Sequence, residues 1–210
     1  MTKTITRLFD DYSDATAALG DLERLGVPHD SISIVASNAD GAHGDAPTSL
    51  GDVNDHGDVS RGVSTGAALG GVGGLLAGLG LLAIPGLGPI VAAGWLASTA
   101  VGAGIGAAGG AATGTIVGAL KEAGHTDDEA HVYSEGVRRG GTLLSARVDD
   151  ALAAEAEAVL HRNRSVDATT RGAAYRQNGW SRFDDTAPAY TKDEVTTERD
   201  RYRTTAPTPY

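Results

Sequence analysis

Along TITRLF (residues 4–9) polar and apolar side chains alternate, with Ile5, Arg7 and Phe9 on one side, which predicts a strand. Ser13 stands where a helix cap belongs, ahead of Ala15, Ala18, Leu19, Leu22 and Leu25 at helical spacing, and Gly26 and Pro28 end the run. SISIV (31–35) alternates again through Ile32 and Ile34, so residues 1–36 read as strand, helix, strand. Thr126 with Glu129 three residues on predicts a capping box that opens a short helix through Tyr133 and Val137. GTLLSARV then sets Leu144, Ala146 and Val148 on one face, DDALAAEAEAVLHRN reads as a helix capped by Asp149 or Asp150, and SVDA can form a last short strand. Phe9-Asp10-Asp11 in the first unit answers Val148-Asp149-Asp150 in the second. Neither half offers enough strands to bury a core alone, so residues 1–36 and 122–169 are expected to join as an α+β fold, a ferredoxin-like split βαβ sandwich.

Between the halves lie an acidic Gly/Asp linker (37–61) and a block, Gly62 to Leu120, without a charged residue. In its first part glycine recurs at Gly62, Gly66, Gly70, Gly74 and Gly78; in its second the stripe is Gly94, Ser98, Gly102, Gly106, Gly110, Gly114 and Gly118. An interior glycine costs a water-exposed helix roughly 1 kcal/mol relative to alanine, whereas small residues at every fourth position let two helices approach closely in lipid. Residues 62–121 are therefore expected to form a glycine-zipper α-helical hairpin, with arms 62–84 and 90–120 joined by PGLGP. At 1.5 Å per residue the arms would be about 34 Å and about 46 Å long, against a bilayer core of about 30 Å. Arg61, Lys121, Arg138 and Arg139 flank the hairpin on its terminal side and PGLGP carries no charge, which favours a cytoplasmic location for both ends.

Composition sharpens these expectations. Glycine makes up 30 of 210 residues against a usual share of about 7%, and aromatics only 5%. A net charge of −10 argues against a nucleic-acid partner. The absence of cysteine excludes disulfides, thiolate metal sites and a cysteine nucleophile. Asp10 and Asp11 interrupt the N-terminal segment before an apolar run can form, so no secretory signal is expected. From Thr170 onward the chain is polar, and residues 170–210 are expected to be largely disordered.

The succession of TITRLFDDYSDATAALGDLERLGV, a long Gly/Ala segment, HVYSEGVRRGGTLLSARVDD and SVDATTRGAAYRQNGW resembles the bacterial general stress protein 17M-like family over about residues 3–185, most specifically in YSEGVRRGGTLLSARV (133–148). The resemblance implies a small bacterial protein linked to the general stress response, without an established enzymatic activity and without catalytic residues to carry over. The leading expectation is a non-enzymatic stress-response protein at the cytoplasmic membrane, with membrane lipid as partner and self-association through the hairpins. The alternative is a cytoplasmic, soluble oligomeric regulatory or ligand-binding module; an NAD-type enzyme is a third.

No cofactor, metal or catalytic residue is assigned. Gly104, Gly106 and Gly109 spell G-x-G-x-x-G, but within a continuing four-residue glycine period rather than at a strand-to-helix turn. DVNDHGD places Asp52, Asn54, His56 and Gly57 like a calcium loop, yet Val63 occupies the twelfth position, where a glutamate is needed. His43, Asp45, Asp55 and His56 could hold a divalent ion loosely, though a solvated linker explains them better. His125, His131 and His161 lack paired metal spacing. Trp95 suits a membrane interface or simple packing, and Tyr175, Trp180 and Phe183 suit anchoring of the C-terminal segment.

Overall fold

The computed structural model describes residues 2–41, 80–84, 87–96, 99 and 116–203. In chain order its elements are β1 (Thr2–Phe9), α1 (Tyr12–Arg24), a 3-10 turn (His29–Ser31), β2 (Ile32–Ser37), β3 (Gly80–Ile84), β4 (Gly88–Ala93), α2 (Ile116–Glu122), α3 (Asp127–Arg138), β5 (Thr142–Asp149), α4 (Ala153–Arg162), α5 (Ala168–Gln177) and α6 (Lys192–Arg203). This is a mixed α+β fold with one antiparallel sheet in the order β1-β5-β2-β4-β3. β5 lies centrally, pairing Ala146 with Ile5 of β1 and Leu144 with Ile34 of β2. Val166, in the stretch read as a last strand, makes a single antiparallel bridge to Leu8 on the outer side of β1.

Alternation along the strands divides the core between the two faces of the sheet. Ile5, Phe9, Ile32, Ile34, Leu144, Ala146 and Val148 face one cluster, closed by Ala15, Ala18, Leu19 and Leu22 of α1 and Ala156, Val159 and Leu160 of α4. Leu8, Val35, Ile90, Ala92 and Leu143 point the other way, into a cluster closed by α2, α3, α5 and Phe183. With both faces covered, every residue of β2 is buried. The capping box of Thr126 and Glu129 is present and starts α3. The other two predicted caps are corrected: α1 begins after Asp11 rather than Ser13, and α4 after Leu152 rather than at Asp149 or Asp150, both without a side-chain cap bond.

The expected helical hairpin is corrected where it can be seen. Residues 80–84 and 88–93, the inner ends of both arms, are β3 and β4, and β4 pairs with β2 through Ala92 and Val35. Gly88 and Pro89 of PGLGP thus lie in β4, paired with Ile84 and Ala83 of β3 in the same sheet as both halves, instead of at the far tip of a helical insertion. The physical reason is that β2 has a free edge needing backbone partners, and a short apolar run such as GPIVAA satisfies it while fitting either secondary structure by periodicity. Residues 116–120, at the end of the second arm, are helical as expected. Gly62, Gly66, Gly70, Gly74, Gly78, Ser98, Gly102, Gly106, Gly110 and Gly114 lie outside the described residues. Among the described residues no helix is long and apolar enough to cross a membrane.

The expectation of disorder from Thr170 is also corrected. α5 and α6 are formed, Tyr175, Phe183 and Val195 are buried, and Tyr202 packs on the second cluster. Polarity does not prevent this, because α6 starts at a second capping box in which the Thr191 N–H and hydroxyl donate to Glu194 Oε2 at 2.8 Å.

Gly94 separates the two readings of the glycine stripe. Its φ is +88°, and a Cβ there would lie 2.4 Å from Ile32 O and 2.8 Å from Ser33 Cα, both backbone atoms of β2. Here glycine serves a turn pressed against a neighbouring strand, not a helix contact. Gly94→Ala is expected to destabilise the protein by about 2 kcal/mol or more, from combined αL strain and backbone overlap, read as a lower urea midpoint with unchanged slope.

Candidate functional site

Leu8 exchanges both of its backbone hydrogen bonds with Val166, at 3.0 and 2.7 Å, so its N–H and C=O point away from β5. Strand parity then turns the backbone groups of Thr6 and Thr4 outward as well. Thr6 and Ser145 are consequently a non-hydrogen-bonded pair with close side chains, and their hydroxyl oxygens lie 2.9 Å apart. Past the single bridge at Val166, the outer edge of β1 opens into a cleft of about 290 Å³ between α3 and α4. β1 provides one wall, His125, Glu129 and Tyr133 a second, and Glu157 closes the rim.

The floor of the cleft is a continuous polar network. Thr6 O accepts from the Tyr133 hydroxyl at 2.7 Å and from Arg7 Nη1 at 2.9 Å. The Thr6 hydroxyl meets His125 Nε2 at 2.7 Å, and His125 Nδ1 lies 3.8 Å from Glu129 Oε2. One proton arrangement serves every group: Ser145 donates to Thr6, Thr6 to Nε2, and Nδ1–H faces the carboxylate. Glu129 also accepts from the Thr126 N–H, which lowers its pKa, so the capping box that starts α3 orients the cleft carboxylate too. At the rim Lys3 Nζ lies 2.9 Å from Glu157 Oε1, and Arg7 Nη2 lies 4.0 Å from Oε2. Burial, only partly opposed by Glu129, lowers the His125 pKa; burial raises that of Tyr133 to about 12. At neutral pH His125 and Tyr133 are therefore uncharged, while Arg7 and Glu129 beside them and Lys3 and Glu157 at the rim carry both signs.

None of these residues stands out in the sequence as a site: His125 lacks paired metal spacing, and the available signal is the pair Thr4 and Thr6, polar on a strand face that α3 covers. Of the proposed stripe, Gly94 lies at the turn after β4 and Gly118 is half-buried within α2; the other positions lie outside the described residues. The residues of the G-x-G-x-x-G and calcium-loop patterns, with His43 and Asp45, lie outside the described residues. His131 is buried beside Asp127, 3.6 Å away, and His161 is exposed. Trp95 is half-buried beneath the Arg147 guanidinium, 3.8 Å from the ring centre. Tyr175 and Trp180 meet edge to face at 5.7 Å, as anchoring of the C-terminal segment requires. No cluster of potential metal ligands occurs among the described residues.

Comparison with family models, characterised proteins and solved structures finds no match to the chain. The resemblance to the general stress protein 17M-like family rests on the quoted residues alone.

Burial holds the pKa of both His125 and His131 below the ordinary 6.5. Folding thus removes protons from two imidazoles, so their contribution to stability is complete above about pH 6.5 and is lost as pH falls through the lower folded values. The urea midpoint is expected to drop between pH 7.5 and pH 5.0, and His125→Gln to make that drop smaller.

Proposed function

We propose that the chain is a non-enzymatic regulatory module of the bacterial general stress response, built on a ferredoxin-like sheet and binding a small ligand at the open edge of β1. Strand order supports the fold reading. Counting the Val166 segment as the fourth strand, the order Val166-β1-β5-β2 with α1 and α4 on one face is that of a split βαβ sandwich, extended by the β3–β4 hairpin at the β2 edge. The quoted stress-protein-like segment, 133–148, spans the end of α3, with Tyr133 of the cleft, and most of β5, the strand that holds β1 from its other side.

The observation that carries the ligand reading is the composition of the cleft. Outward backbone groups of β1 lie beside Lys3, Arg7 and Glu157 at the rim and Glu129 on the α3 wall. Amide donors and acceptors flanked by both signs of charge fit a zwitterionic, amino-acid-like ligand, and the volume approaches that of ordinary small-molecule sites, about 300 Å³ and above. Calorimetric titration of the full-length protein with the free amino acids and simple dipeptides is expected to find one with a Kd below about 1 mM, equivalent to about −4 kcal/mol. Arg7→Ala and Glu157→Ala should each weaken it about tenfold. Absence of binding across the panel would overturn this reading.

The uncharged block from Gly62 to Leu120 favours a second reading, association with the cytoplasmic membrane through the Gly/Ala segments that flank the β3–β4 hairpin. Since that hairpin belongs to the sheet, the discriminating variant deletes 62–79 and keeps β3 and β4. Under this reading the full-length protein remains in a carbonate-washed membrane pellet and the deletion variant is released. Recovery of both in the supernatant would exclude it.

A further inference from the structure

α6 contributes little apolar surface: Val195 is fully buried, Tyr202 partly, and the rest of its contact with the body is polar. Val195 rests on Gly140, whose φ of +97° and missing Cβ leave room for it; a Cβ would come within 2.2 Å of Val195 Cγ1. Arg199 donates from Nε and Nη2 to Gly140 O at 3.0 and 2.8 Å and pairs with Asp40. Glu198, only 7% exposed, accepts from Arg139 Nη1 at 3.0 Å through Oε2 and from Arg201 Nη1 of its own helix at 2.6 Å through Oε1.

Beneath Glu198 the body of the protein supplies three guanidinium groups and two carboxylates. Arg138 and Arg139 share Glu135, which is completely buried, at 2.9 and 2.6 Å. Arg171, 3% exposed, directs Nη2 at both oxygens of Asp10, each 2.8 Å away. Its Nη1 is buried and has no hydrogen-bond acceptor among the described residues. Arg139 lies 4.3 Å over the Tyr175 ring and Arg171 4.0 Å over that of Tyr202, so both guanidinium planes are fixed by stacking. Arg139, Arg171, Tyr175 and Glu198 border a cavity of about 10 Å³, no more than one water can fill. The two internal carboxylates leave these three guanidiniums with an excess of positive charge, and Glu198, whose other oxygen is shared with Arg201 of α6, is the carboxylate that α6 brings to them.

We propose that Arg139 and Arg171 form an oxyanion-binding site whose resident occupant is the Glu198 carboxylate, and that a small free phosphate- or carboxylate-bearing ligand takes its place when α6 lifts. The planar donors, the aromatic floor and the unmatched Nη1 fit a two- or three-oxygen head better than the single carboxylate oxygen that now reaches Arg139. Replacing Glu198 removes one of the contacts that hold α6 and so loosens the helix, and when Tyr202 lifts with it Tyr175 of α5 keeps its stack on Arg139. The site is therefore gated by its own cover.

Inorganic phosphate and acetate, titrated calorimetrically into the full-length protein at fixed ionic strength, test this. Glu198→Ala is expected to bind one of the two at least tenfold more tightly than the native chain, and Arg171→Gln in the Glu198→Ala background should abolish the gain. If Glu198→Ala does not give a folded circular-dichroism spectrum, the nearly isosteric Glu198→Gln serves in its place. The tighter-binding probe identifies phosphate or carboxylate as the preferred head. No gain on removing the Glu198 charge, or a gain that persists without Arg171, would overturn the proposal.

Discussion

The rest of the structure depends on β5 lying between β1 and β2. It pairs with β1 over eight residues and with β2 over five, tying the N-terminal strands to a segment from the far side of the uncharged block. Until that pairing forms, Leu144, Ala146 and Val148 have no place beside Ile5, Phe9 and Ile34, and neither α1 nor α4 has a surface to cover. The same pairing puts Ser145 beside Thr6 and leaves the outer edge of β1 open past Val166. Core and cleft are two results of one register.

The two faces of the sheet are closed by different means. α1 and α4 bring mostly alanine, leucine and valine, so the first cluster is ordinary apolar packing. On the second face α3, its C-cap Arg139 and α5 carry Glu135, Arg138, Arg139 and Arg171 into positions with little or no solvent, and hydrogen bonds and stacking offset part of their desolvation. Buried ion pairs of this kind contribute less to stability than their Coulomb attraction suggests, because both partners have left water. They do impose geometry. A guanidinium held by two carboxylate oxygens and an aromatic plane has one orientation, whereas an apolar side chain can repack.

Much of this was legible in the residues, for identifiable reasons. TITRLF, SISIV and GTLLSARV alternate because each strand presents one face to α1 and α4, and Thr126 with Glu129 marked the start of α3. GLLAI and GPIVAA carried no such sign. β4 is covered on both sides, and a short strand buried that way shows no alternation to distinguish it from a helix. The glycine period then drew the eye to helices, although Gly94 answers a turn. KDEVTTERDRYR looked disordered because it has almost nothing apolar to bury; Thr191 and Glu194, spaced like Thr126 and Glu129, were its readable trace. The cleft was least visible of all, since Thr6, His125 and Glu157 share no local pattern and are joined only by strand parity and the β1–β5 register.

That register also has a consequence during synthesis. Ile5 and its partner Ala146 are separated by about 140 residues, so at a translation rate of about 5–20 residues per second β1 waits roughly 7–30 s for its neighbour. During that interval β1 and β2 are on the ribosome with unpaired edges, while the least charged part of the chain emerges behind them. Closing so long a loop adds only logarithmically to the entropy lost, so the final fold tolerates the separation far better than the nascent chain does. The stretch of 37–61, with five aspartates against Arg61, is translated just before the uncharged block, so net negative chain separates the waiting strands from that block until β5 arrives.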